Sequence, residues 1–182
     1  MQFITWLDYV LLPFYIGIVY FVAYNFRNRY YPPGHSWRPY FIPGLTVKIA
    51  GAVFIGLLYQ YYYGSGDTAH FFTHAKVINS SFADSPIKWI NLVFHIPKWY
   101  DGNYSPYISR LFWYSTVNNY AVGAVAAVLS LFTLNTFLPT SVLFAALSFT
   151  GMWAMFRTFA DQYPALTRQV ALATLFIPST FV

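Results

Sequence analysis

Residues 4–26 and 42–63 form two runs long enough to cross a membrane, and each holds a single charged residue, Asp8 in the first and Lys48 in the second. Crossing ~30 Å of hydrocarbon takes roughly 20 apolar residues in a helix at 1.5 Å per residue. Backbone inside hydrocarbon must satisfy its own hydrogen bonds, so such runs fold as helices. The remainder of the chain agrees: 58% of residues are hydrophobic and 8% charged, against about a quarter charged in soluble domains. The fold class expected is all-α, a polytopic membrane protein with one membrane domain over residues 1–182.

Charge sets the orientation. The segment RNRYYPPGHSWRPY carries Arg27, Arg29 and Arg38 and no acid, so the positive-inside rule places it in the cytoplasm and the N-terminus outside. No basic residue precedes the first run and no small-residue cleavage site follows it, so it reads as a retained anchor rather than a signal peptide. Lys48 is expected near the cytoplasmic end of the second run, close enough to snorkel. Tyr59-Gln-Tyr-Tyr-Tyr63 suits an aromatic belt at the outer interface, and Gly64-Ser65-Gly66 ends the helix.

Residues 64–120 then form a long external loop, punctuated by Pro86, Pro97 and Pro106. Its pieces IKWINLVFHI and YISRLFWYSTV alternate charge with aromatic residues, as helices lying in the interface do. Further apolar runs follow at 120–138 and 141–156, with a turn expected at Pro139. If both crossed, Arg157 and Arg168 would lie outside. Residues 120–138 are therefore expected to be re-entrant or interfacial, with a crossing as the alternative. The spans are then 4–26, 42–63, about 141–157, and 169–182 onward. The last run is too short to span, so the chain is expected to be the N-terminal portion of a longer protein.

Composition also excludes. With no cysteine, disulfides, thiolate metal sites and cysteine nucleophiles are ruled out. The net charge of +5 speaks to topology and anionic headgroups, since no basic run alternates with exposed aromatics as nucleic-acid binding would require.

The chemistry-bearing stretch is GSGDTAHFFTH, where the second run emerges into water. All five acids in the chain are Asp, and Asp67 here precedes His70 and His74 at offsets that return to one helix face. An Asp at a helix start is also what an N-cap needs. The functional alternatives are a general base or a carboxylate holding a divalent cation over a phosphate. His70 and His74 suit hydrogen bonds to a phosphate better than metal ligation, since one pair lacks a third ligand. Among the external cations, Lys76 and Arg110 are candidates to grip a lipid phosphate, Arg110 the better because its planar fork binds bidentately. Lys88 and Lys98 also suit headgroups. Asp8 is expected to be solvated near the boundary, without a role, and His95 to be an interfacial histidine.

At GSGDTAHFF the chain resembles the GT-C class of integral-membrane glycosyltransferases. In that class the first long external loop opens with an acid just after a transmembrane helix, often followed closely by an aromatic residue. The stretch SLFTLNTFLPTSVLFAALSFTGMWAMFRTFADQYP with LATLFIPSTFV is similar to the corresponding region of bacterial members. The resemblance covers roughly residues 40–182, the first run being an addition. It implies a transferase in the bacterial inner (plasma) membrane, moving a sugar from a polyprenyl-phosphate donor to an acceptor on the outer face. Asp67 matches the catalytic loop acid; no other residue carries over. The implied partners are a lipid-linked sugar donor and membrane lipids, with a divalent cation as the one cofactor to consider.

Two other classes compete. A transporter or flippase would place ionisable groups at the midplane of its spans, where this chain has almost none. A non-catalytic scaffold subunit would present a flat aromatic interface around Asp67 rather than a concave cavity.

Overall fold

The computed structural model describes residues 3–64 and 66–177, whose regular structure is all helical, without a strand. Three helices are long and apolar enough to cross a membrane: α1 (Trp6–Tyr30), α2 (Arg38–Leu58, continued by the π-helical turn Tyr59–Tyr63) and α7 (Phe137–Gln162). Between α2 and α7 lie α3 (Asp67–Asp84), α4 (Pro86–Val93), α5 (Ser105–Ile108) and α6 (Val117–Phe132), and α8 (Thr167–Leu175) follows α7. α1 leaves Val10, Phe14, Ile18, Phe21 and Val22 exposed, the surface of a helix whose surroundings are lipid.

The spans are longer at their N-terminal ends than the apolar runs suggest. α2 begins at Arg38 and α7 at Phe137, with Pro39 and Pro139 inside their first turns. The first N–H groups of a helix have no intrahelical acceptor, so proline costs nothing there. The turn expected at Pro139 lies instead at residues 133–136, where Leu134 and Asn135 take positive φ of 56° and 55°. The earlier start of α2 also moves Lys48. It stands roughly 15 Å along the helix from Arg38, near the middle of the helix rather than close to its N-terminal end. In the 169–182 run, α8 ends at Leu175, and positions 178–182 lie outside the described residues.

α1 and α7 run parallel. At one end Asp8 accepts the Leu138 N–H at 2.8 Å, and at the other Trp153 Nε1–H donates to the Tyr31 hydroxyl at 2.8 Å. Asp8 is thus not solvated but 1% exposed, its second oxygen accepting the Thr5 N–H and hydroxyl at 2.8 Å each. One carboxylate ties together the positive ends of two helices. α2 returns in the opposite direction, mainly against α7, packing Phe41 edge-on against Phe149 and Trp153. Gly44 admits a close approach: a Cβ there would lie 3.2 Å from the Phe149 ring and 3.4 Å from Leu175. Since α7 keeps its N-terminus beside that of α1, the loops at 31–37 and 163–166 share one end of the bundle.

At the opposite end α3 to α6 form a cap. Gly64 leaves α2 with φ 75°, a left-handed conformation that glycine adopts without strain. α6, at 16 residues, is about 24 Å long and shorter than the hydrocarbon core. It lies along α3, closest at Gly123, where a Cβ would come within 3.1 Å of the His74 Cβ. Buried Asn79 joins the pieces: its amide N–H groups reach Ala127 O at 3.0 Å, Ser130 Oγ at 3.0 Å and Asn135 Oδ1 at 2.7 Å, while its oxygen accepts Trp89 Nε1–H at 2.7 Å. His95 has φ 55° and stacks on Tyr120 at 4.2 Å, a packed position inside the cap.

Candidate functional site

α3 begins where the sequence pattern puts it, but the capping position belongs to Gly66, and Asp67 is the first helical residue, with no capping hydrogen bond from Gly66. Asp67 and Thr68 are exposed. Thr68 and Phe71, one and four residues beyond Asp67, face a cleft of about 320 Å³ between α2 and α7. The α2 wall carries Lys48, Ala52, Gly56 and Tyr59; the α7 wall carries Thr140, Ser141, Phe144 and Ser148; α6 adds Val122 and Ala126. The carboxylate therefore stands at the edge of the roof over an apolar cavity with a sparse set of hydroxyls and one lysine. At Gly56 the two walls approach closely: a Cβ there would lie 2.8 Å from the Phe137 ring.

The two histidines of the stripe have different fates. His70 is exposed and its ring lies 5.8 Å from that of Trp113. His74 is 3% exposed, 5.3 Å from the same indole ring. Its Nε2 accepts the Trp113 backbone N–H at 3.4 Å, a long bond, and its Nδ1 is buried without a partner. With Nε2 accepting, the proton of the neutral ring sits on Nδ1. Burial pushes His74 below the ordinary imidazole pKa, and the neighbouring His70 adds to the effect. His74 thus lies buried behind Trp113, while Asp67 and His70 are exposed.

Lys76 is on another flank. It is exposed, roughly half a turn out of phase with Asp67, with its ammonium 4.7 Å over the Phe72 ring. Phe72 in turn packs edge-on against Phe137 at 5.2 Å. Arg110 is exposed on the irregular segment between α5 and Trp113. Among the described residues no three His or Asp side chains are grouped as metal ligands, so a cation at Asp67 would need its other ligands from a substrate phosphate and water.

The sequence did not place two residues of this region. Trp113, which also packs on Phe71 at 4.7 Å, sits in a stretch whose alternating charge and aromatics suggest only an interfacial helix. Lys48 was visible, but its direction was not: a lone cation in an apolar run reads as snorkelling until the start of the helix is known. No family model matches the chain, and neither a curated protein nor a solved structure is significantly similar to it.

Proposed function

We propose that this chain is the membrane domain of an enzyme acting on a lipid-linked substrate at the outer membrane–water boundary. In the most specific form it is a bacterial inner-membrane glycosyltransferase using a polyprenyl-phosphate sugar. The observation that carries the reading is the placement of exposed Asp67 next to Thr68 and Phe71, which roof the α2–α7 cleft. An amphiphile with part of its chain in that cleft would present its headgroup to the carboxylate and to His70. Asp67 would take the proton from an acceptor hydroxyl as its oxygen forms a bond to the anomeric carbon. The bond from that carbon to the phosphate oxygen breaks, and the polyprenyl phosphate leaves with the electron pair. In the alternative role Asp67 would hold a divalent cation, which would supply charge neutralisation for the departing phosphate.

Asp67→Asn tests this. Asparagine keeps the shape of the side chain but removes the negative charge. Loss of a positioned general base lowers rate by about 10²–10⁴. The measurement is transfer of label from a polyprenyl-phosphate sugar in membranes containing the protein, with expression and folding checked in parallel. Near-normal turnover by well-folded Asp67→Asn protein would overturn the mechanism.

A carrier for an anionic amphiphile is the second reading, favoured by Lys48 facing the cleft near mid-span, where carriers place ionisable groups. Movement of a lipid phosphate across proteoliposomes, lost in Lys48→Met and unaffected by Asp67→Asn, would select it.

A further inference from the structure

We infer that α4 and the segment 94–100 form a wedge that dips into the bilayer leaflet bordering the N-terminus of α1, held there by anionic lipid headgroups at Lys88 and Lys98. The inference stands apart from the transferase reading, because it concerns a surface away from Asp67.

Depth is the first argument. Trp89 of α4 is bonded to Asn79, and Asn79 to Asn135 in the α6–α7 turn, each at 2.7 Å. Phe132, the last residue of α6 before that turn, accepts the Tyr15 hydroxyl on its carbonyl at 2.5 Å. Tyr15 lies roughly 14 Å along α1 from Trp6. A chain of short bonds therefore fastens α4 beside the first half of a span, rather than holding it clear of the membrane.

The second argument is the face that α4 turns outward. Leu92 is fully buried in the cap. On the other side Ile87, Ile90 and Phe94, at helical spacing, are 69%, 45% and 72% exposed, and Ile96, Trp99 and Tyr100 continue the patch at 63%, 61% and 79%. An apolar surface of this extent marks a site of contact, and its mixture of Trp and Tyr with aliphatic residues is that of a membrane boundary.

Charge supplies the third. Residues 86–100 contain Lys88 and Lys98 and no acid. The flanking acids are engaged within the cap: Asp84 accepts the Tyr107 hydroxyl, and Asp101 accepts the Asn103 N–H at 3.0 Å. Lys98 lies 5.8 Å from the Tyr100 ring centroid, at the rim of the apolar patch. Lys88 is half-buried, its ammonium 6.0 Å from the Tyr107 ring centroid, and an acid-free apolar wedge carrying two cations matches a leaflet whose headgroups are anionic.

The chain has no cysteine of its own, so single cysteines can report on chosen positions in the whole protein. Phe94→Cys, Trp99→Cys and, as a reference in water, Asn103→Cys are labelled with an environment-sensitive fluorophore. Each is reconstituted in phosphatidylcholine vesicles with and without phosphatidylglycerol. Labels at 94 and 99 should emit to the blue of the label at 103 and be quenched several-fold more by brominated acyl chains. Phosphatidylglycerol should deepen the quenching, and the Lys88→Gln/Lys98→Gln pair should abolish that increment. Ile87→Cys gives a second reporter on the same face should either aromatic replacement fold poorly. Water-like emission at these positions would overturn the proposal. So would blue-shifted emission that brominated lipid leaves untouched, the result expected if protein covers the patch, or indifference to phosphatidylglycerol.

Discussion

Asp8 Oδ1 accepts the backbone N–H of Leu138 at 2.8 Å, a bond between residues 130 positions apart that holds two helix N-termini side by side. Leu138 is in the first turn of α7, where N–H groups lack intrahelical acceptors, and the next residue is a proline without one to offer. The same carboxylate closes the first turn of α1 through Thr5. Asp8→Ala should therefore destabilise the fold by about 3 kcal/mol, combining a lost cap with a buried unsatisfied donor. Asp8→Asn, which keeps one acceptor, should cost less. Thermal unfolding in detergent measures both, and an Asp8→Ala protein as stable as the wild type would refute the account.

Asn79 is the corresponding hub in the cap. Replacement by Leu removes the partner of Trp89, Asn135 and Ser130 together and leaves the half-buried Trp89 indole N–H without its acceptor. A loss of about 3 kcal/mol is expected, with α4 released first. Faster hydrogen exchange across residues 86–93 than across α7 would register that release; uniform exchange would argue that the cap is held by apolar packing alone.

His74 makes the cap sensitive to acid. Its folded pKa lies below the ordinary value of 6.5 because burial disfavours the charged ring and His70 repels it. The unfolded chain then binds a proton that the folded one resists, so stability is full above pH 6.5 and falls as pH drops from there toward the folded value. In His74→Gln this part of the pH dependence should vanish. Unfolding midpoints across a pH series, compared between the two proteins, decide the matter; parallel curves would mean that other groups carry the acid sensitivity.

Orientation can be tested with the same cysteine-free background. Because α1 and α7 are parallel, cysteines replacing Ser36 and Ala165 should react with a membrane-impermeant reagent from one side, and one replacing Asn103 from the other. The Arg-rich loop predicts that Ser36 and Ala165 face the cytoplasm. Labelling of Ser36 and Ala165 from opposite sides would contradict the parallel arrangement.

The sequence by itself determined that the fold is all-helical and that residues 4–26 and 42–63 belong to helices apolar enough to span. Hydrogen bonding inside hydrocarbon leaves few options for a run such as residues 42–63, and Gly64 marks its end because the chain needs a left-handed residue there. It was less informative at helix starts: Pro39 and Pro139 look like breaks and are first-turn residues, since proline's missing donor is harmless only in that turn. Periodicity also put Asp67, His70 and His74 on one stripe, but a stripe says nothing of what faces it. Trp113 and Gly123, brought from distant positions, bury His74 and leave His70 in water. In the same way only the packing of α7 against α1 gave Asp8 its second helix, and only the cleft gave Lys48 a direction. Local sequence governs backbone conformation because its terms act over a few residues. The environment of a polar side chain is set by what arrives from elsewhere in the chain, and that only the tertiary structure decides.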